Sequence, residues 1–580
     1  MNKGNCRFLS FRLFWAACAL AGVLARAEDA RIPSGPLVST AAWPRATTLA
    51  EWTRDVMRIE GLEKASETAQ GKAFFEWLRL FSRMAEGGMI QAYEGPYGQE
   101  RYVLDAHKSL FVYGWGYCDT TSRIAEAAWQ EYKQDARAAE RVCVQHANGG
   151  YHTMYRLRLD GRYGAFDPRY GYYLVERDAP GAPVLDWAAV GDDRNILRNK
   201  TFRYRSGPFF EIAGLEWERA LLLQPAWFDT EGAWKKAGAP QESVFGNGQY
   251  RLGTRLHDMD FRLPKGTTIE RHWDNSARKF YVPAGKHTKR EFPFLPSGRF
   301  YRVTETSLDG NWPKHDPNYR RAAPYLATVP VNEGYPADIA GGRTIGQAWG
   351  VIRYRPDWRD PASAAALAPG ATLVHAGTAP YLRPARPDAG GSAVLDFYSP
   401  YVLVDGTLNV ALSGSPRDVK LEFRTLGAKP LRPSEPDVWS EWQVLGAAAG
   451  AVHAELGRPR FNGRDASIHG LYRFQLRVTV EPAPGRTTPP GLAALNLALW
   501  FENGIMTIPR LVPGANTVRF AVRDAALLTG SVRVEYRYQT AAGERSHVQV
   551  LRPADFHGNQ AEYRIDAPGL VRCNSLAVSY

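Results

Sequence analysis

From Leu49 to about Glu86 apolar residues return every three or four positions, with Phe74, Trp77, Leu78, Phe81 and Met84 on one stripe. That spacing predicts helix, stopped by Gly87-Gly88, with the aromatic stripe facing a core. A second helical pattern begins at Cys118, where Ile124, Ala128 and Tyr132 share a stripe beside Ala125 and Trp129, and runs to near Ala139. The period then falls to two. Arg141–Gln145 is a short strand; Tyr151–Leu159 turns at Asp160-Gly161, a two-residue hairpin signal, and returns as Arg162–Phe166. Past the turn-rich stretch Asp178–Pro183, the runs Thr201–Arg205, Asp260–Leu263 and Lys279–Val282 alternate between Gly and Pro breaks. Between 300 and 390 Pro, Gly and aromatic residues crowd together, and Ser307–Trp312 is a turn. From Ser392 onward the strands are clearest: Tyr401–Val404, Thr407–Leu412, Val419–Arg424, Leu471–Val480, Thr517–Val522, Ser531–Tyr538 and Ser546–Leu551, with turn signals such as Asp405-Gly406. Their spacing predicts β-sandwich modules, and Trp439 and Trp442 are placed in the core, with stacking on a sugar as the other reading.

One continuous apolar run has a different meaning. Leu13–Leu24 follows Lys3, Arg7 and Arg12 and precedes Ala25-Arg26-Ala27, the pattern of a signal peptide cut after Ala27. No later segment approaches the ~20 apolar residues of a membrane span. The expectation is a secreted or periplasmic protein with no transmembrane span.

At 580 residues the chain exceeds one core, and 23% charged with 12% aromatic residues describes a folded protein. The formal charge of +12 becomes +8 when residues 1–27, which hold four basic residues and no acid, are removed. The basic residues are scattered, which excludes a nucleic-acid partner and leaves open an anionic polysaccharide or cell-wall polymer. After cleavage the cysteines are Cys118, Cys143 and Cys573; an odd count leaves at least one free thiol, while a Cys118–Cys143 disulfide is the competing reading. No CxxC or HxxxH pair supports a metal, and no cofactor is expected.

The candidate chemistry lies in Tyr113-Gly-Trp-Gly-Tyr-Cys-Asp-Thr-Thr-Ser122, Gly150-Tyr-His152 and Phe166-Asp167-Pro168. A cysteine opening a helix meets unpaired N–H groups and the positive end of the dipole, which favour thiolate. If Leu159 pairs with Arg162, Met154 lies opposite Asp167, and His152 is one diagonal step away on the same face. A nucleophile, a base and an acid to hold the base's tautomer are then all present.

The order and spacing of Cys118, His152 and Asp167 resemble the core of the transglutaminase-like superfamily over roughly residues 106–175, under a fifth of the chain. The resemblance implies a papain-like core with Cys118 as nucleophile, His152 as base and Asp167 as orienting acid. Met154 and Arg156 depart from it, since members often carry an aromatic residue and an acid there. The expected fold class is α+β: signal peptide 1–27, a mainly helical segment 28–105, the transglutaminase-like core 106–190, a β-rich domain 191–300, a connecting region 301–390, and β-sandwiches 391–505 and 506–580. The expected function is a cysteine protease or amidase acting through a thioester on a protein or peptide, with acyl transfer to an amine the other outcome. A non-catalytic scaffold binding polysaccharide or protein through the β-modules is the alternative.

Overall fold

The computed structural model describes residues 32–84, 105–116, 118–145, 151–167, 172–175, 181–186, 203–205, 257–273, 277, 279, 327–328, 344–345, 347–414, 417–426, 439–445, 450–457, 467–482, 484–485, 487 and 489–580. The signal-peptide pattern, Gly87-Gly88 and Ser307–Trp312 lie outside them.

Two helices replace the single one expected from 49 to 86. Leu49–Ile59 starts at Thr48, whose hydroxyl accepts the Glu51 N–H, and stops where Gly61 turns left-handed at φ 68°. Glu67–Phe81 restarts at Ser66, whose hydroxyl accepts the Ala69 N–H. Periodicity is blind to this break because both helices bury aromatic residues on the same side. Trp52, Phe74, Trp77 and Phe81 pack edge to face or tilted at 5.3–6.2 Å. The third helix, Cys118–Lys133, ends short of Ala139 because Gln134 takes φ 53°.

These helices cover one face of a five-stranded antiparallel sheet made of Ala139–Gln145, Tyr151–Leu159, Arg162–Asp167, Tyr172–Leu174 and Arg203–Arg205 in that order. The hairpin forms in the expected register, Leu159 opposite Arg162, with Asp160 and Gly161 both at positive φ. Its tip also caps a helix. The Asp160 carboxylate accepts the N–H groups of Glu67 and Thr68 at 3.1 Å and the Thr68 hydroxyl at 2.7 Å, while Glu67 accepts the Asp160 N–H at 2.8 Å. Desolvation opposes ionisation of Asp160, but these hydrogen bonds outweigh it and hold the carboxyl below its ordinary range. Asp160→Ala is therefore expected to cost about 1 kcal/mol. The capping contribution should be full above pH about 4 and fade as pH falls through the depressed folded value. Thermal melting of wild type and variant across pH 2–7 checks this; equal melts at neutral pH would remove the cap from the account.

The rest of the described chain is strand. A thirteen-stranded antiparallel sheet system takes in Thr267–His272, Gln347–Tyr354, Gly391–Ser413, Val419–Thr425, Leu471–Val480, Gly491–Gly504, Val532–Thr540, Gly543–Leu551 and Leu570–Ser579. Gly391–Ser413 turns the corner between sandwich layers. Its first part pairs with Leu471–Val480 and its second with Gly491–Gly504, with a register shift around Ser399-Pro400. The expected turn at Asp405-Gly406 is a bulge inside this strand. A separate three-stranded sheet places Leu37–Thr40 beside Gly514–Ala521, which pairs in turn with Gln560–Ala567. Trp43, just after that first strand, donates its indole N–H to the Met506 carbonyl at 2.6 Å.

The expected α+β class is corrected by this architecture. The described chain is mostly β, with three helices of eleven to sixteen residues, and no papain-like α+β core is shown. A motif spanning under a fifth of the sequence carried that expectation, whereas the pairing of strands from 267 to 580 decides the class.

Candidate functional site

The segment entering the Cys118 helix is held by a tight turn. Lys108–Tyr113 forms one turn of π-helix and ends at Gly114, φ 67°, whose N–H donates to the Ser109 carbonyl. A Cβ at Gly114 would stand 3.0 Å from the Phe81 carbonyl oxygen, so the position needs glycine for both conformation and space. Trp115-Gly116 then pairs in parallel with Arg83-Met84, and Cys118 is the first residue of the next helix.

That helix lies on the sheet face of Tyr155 and Leu157. Ser122, one turn in, donates to the Thr153 carbonyl at 3.3 Å, and Glu126 accepts from Arg141 Nε at 2.6 Å. Gln70 and Glu67, near the hairpin tip, reach Lys133 at the helix's far end. The helix therefore runs along Tyr151–Leu159 with its N-terminus at the Tyr151 end, and Cys118 falls at the rim where that strand begins. His152 is the second residue of the strand and pairs with Val144. Asp167 is the last residue of Arg162–Asp167 and pairs with Tyr172. Continuing the register from Tyr155 opposite Phe166 puts Asp167 across from Met154, on the same face as His152. By alternation that face is the one opposite the helices, so the backbone puts Cys118 at the same end of the sheet as the other two but on the opposite side.

Two charge clusters flank this end. Asp119 pairs with Arg123 one turn on at 3.4 Å, setting a cation behind the acid that follows Cys118. On the face of His152, Arg156 is held by Glu140 at 2.8 Å and Asp186 at 3.1 Å and stacks over Tyr163 at 4.2 Å. Desolvation of Arg156 is outweighed by these carboxylates, so its guanidinium is held above its ordinary value; burial, then the hydrogen bond to Glu140, pushes the Tyr163 hydroxyl up to about 12. Arg156 thus stands where the resemblance leads one to expect an acid, but it brings its own acids. Pairing partners so far apart in sequence, at 140 and 186, leave no local signal.

Cys573 is 1% exposed in the C-terminal sandwich, where its sulfur accepts the Leu511 N–H at 3.5 Å. Among the described residues no group of three His, Cys, Asp or Glu could hold a metal ion, and no helix is long and apolar enough to cross a membrane.

The strand pairs leading to Cys118 are tied to the sandwich by a junction of titratable groups. Asp105 accepts the N–H groups of Lys108 and His257, His107 Nδ1 donates to the His257 carbonyl at 3.2 Å, and His257 Nε2 donates to the Pro400 carbonyl at 2.6 Å. Lys108 lies over the Tyr472 ring, whose hydroxyl meets that of Tyr113 at 2.8 Å. Packed protein around His257, and then the Lys108 charge, disfavour its protonation more than Asp105 promotes it, so the imidazole titrates well below its ordinary value. The unfolded chain takes up this proton first. The junction's stability is thus full above pH about 6.5 and declines as pH falls below it toward the folded value. His257→Gln keeps a donor for Pro400 and cannot titrate, so its melting temperature should fall less steeply than wild type between pH 6.5 and 4. Parallel curves would place the acid loss elsewhere.

Trp439 and Trp442 are half-buried and do not join the core: each ring has two arginine side chains within 5.3 Å of its centroid.

No family model matches this chain, and no curated protein does. Solved structures give weak partial likenesses. A Bacteroides uniformis β-glucuronidase is 12% identical with a TM-score of 0.11, covering 33% of this chain and 22% of its own. A Parabacteroides merdae β-glucuronidase is 10% identical with a TM-score of 0.11, covering 31% and 24%. A Paenibacillus xanthan lyase is 7% identical with a TM-score of 0.13, covering 37% and 24%. The chain spans about a quarter or less of each, and likenesses this low carry no argument about activity. The expected description as a transglutaminase-like cysteine protease, hydrolase or acyltransferase is corrected to this extent: no family model matches the chain, and its described part is mostly strand with no papain-like core shown.

Proposed function

We propose that this is an exported enzyme whose Cys118 thiolate attacks an amide carbonyl, forming a thioester and releasing the amine. His152 takes the thiol proton and passes it to the leaving nitrogen, Asp167 holds the imidazole, and the Cys118 N–H at the open helix end receives the developing oxyanion. Water or a second amine then resolves the thioester. What supports this reading is one coincidence of backbone placement: a glycine-forced turn starts the Cys118 helix at the strand end where His152 and Asp167 share a face.

Alkylation kinetics test it. Iodoacetamide at neutral pH, followed by peptide mass mapping, should label Cys118 well before Cys143, with Cys573 protected by burial until the chain is denatured. Labelling of Cys118 no faster than that of a free model thiol would favour the non-catalytic binding scaffold instead.

A further inference from the structure

The exposed face of the sheet around residue 424 carries a second candidate site, independent of Cys118. Register puts Glu422 and Arg424 of one strand, Arg473, Gln475 and Arg477 of the next, and Asp396 of the third on one face. Trp439 and Trp442 lie over them, anchored where Ser440 donates its N–H to the Thr425 carbonyl and its hydroxyl accepts the Thr425 N–H. The side chains form one cation–π cluster. Arg477 is 4.2 Å from the Trp442 ring, Arg424 is 4.4 Å from Trp442 and 4.8 Å from Trp439, and Arg473 is 5.3 Å from Trp439.

The three guanidiniums are not equivalent. Arg477 makes a two-pronged pair with Glu422 at 2.7 and 2.9 Å, and Arg473 pairs with Asp396. The central Arg424 has no carboxylate. Its Nε donates to Gln475 Oε1 at 2.9 Å, and Gln475 turns its own amide to Asp396; both Nη groups make no hydrogen bond and are open to solvent. The two indole N–H groups also lack a partner and are not shut off from water. Burial, and then the like charge of Arg477, disfavour the Arg424 cation more than the nearby Asp396 and Glu441 carboxylates favour it, and an anion on its fork adds favourable charge.

We infer that Arg424, between Trp439 and Trp442, is the receptor for a carboxylate carried by a polysaccharide, with the guanidinium fork taking both oxygens and the indole N–H groups taking neighbouring hydroxyls. The main-chain groups of the three strands that carry these side chains are already paired within the sheet, whose free edge is Gln443–Leu445, so what this face offers a ligand is side-chain donors. A hydroxylated, acidic chain lying on the face needs no more. Each indole already has two arginines within 4.2–5.3 Å of its centroid, and the unpaired Arg424 fork marks the carboxylate as the recognised group.

The test uses the full mature chain, polygalacturonate as probe, and its methyl ester, in which the same backbone has lost its charge. Wild type should bind the acid and not the ester, and Arg424→Gln should weaken binding about tenfold or more. Arg424→Lys keeps the charge and the cluster but not the fork, and should fold normally and bind measurably less well than wild type. Should Arg424→Gln fail to fold, as judged by circular dichroism, the acid-against-ester contrast and the lysine variant decide. Equal binding of acid and ester, wild-type affinity in both variants, or no binding at low salt would overturn the site. Equal binding of poly-L-glutamate would overturn the saccharide and leave a charge-only surface.

Discussion

Cys118→Ala is expected to abolish turnover of an amide substrate while leaving the melting temperature within about a degree or two. The sulfur is the atom that would form the bond, and no other group in the proposed site can replace it. His152→Ala should lose nearly as much, because the thiol then has no proton acceptor. Asp167→Asn should be milder, retaining on the order of 10⁻² to 10⁻⁴ of the rate, since the imidazole loses its orienting charge but the helix start still favours thiolate. The measurement pairs turnover of a casein or glutaminyl-peptide substrate with a melt for each variant. Full turnover by Cys118→Ala, or losses that follow melting rather than chemistry, would end the catalytic proposal.

Trp43→Ala should give the largest loss of stability, about 3–5 kcal/mol in the transition that unfolds the helical unit. The ring is 2% exposed, stands 5.3 Å from Trp77 and 5.8 Å from Phe81, and carries the Arg510 guanidinium 4.1 Å above it. Removing it leaves a cavity between the first helices and the C-terminal sandwich, and it strands the Met506 carbonyl, which accepts the indole N–H. Trp43→Phe fills most of the space without that donor and should cost about 1–2 kcal/mol more than nothing and clearly less than alanine. Urea unfolding followed by tryptophan fluorescence reads both. A cost below about 1 kcal/mol for alanine would mean that the two units do not support one another through this residue.

The hairpin from Tyr151 to Asp167 was legible because all its determinants are local: alternation in two strands and two residues able to take positive φ between them. The same locality exposed the Cys118 helix. Gly491–Gly504 was not legible as strand, because Leu-Ala-Ala-Leu-Asn-Leu-Ala-Leu offers leucine and alanine, good helix formers, and because its less buried face carries Ala494 and Ala498 where alternation would call for polar residues. Leu37–Thr40 was not legible as strand because four residues carry no period, and its partner is far along the chain. Trp439 and Trp442 looked like core for a similar reason. What holds them is a set of arginines on two other strands, and no pattern within Val438–Trp442 announces those partners.

The pairing of Leu37–Thr40 with Gly514–Ala521 has a bearing on how the molecule is made. At roughly 5–20 residues per second, synthesis leaves the first of these strands waiting on the order of half a minute to a minute and a half for the second. In that interval Trp43 has no carbonyl to bind and one edge of the C-terminal sandwich does not exist. The first described strand thus stays unpaired on this edge until nearly the last part of the chain has appeared.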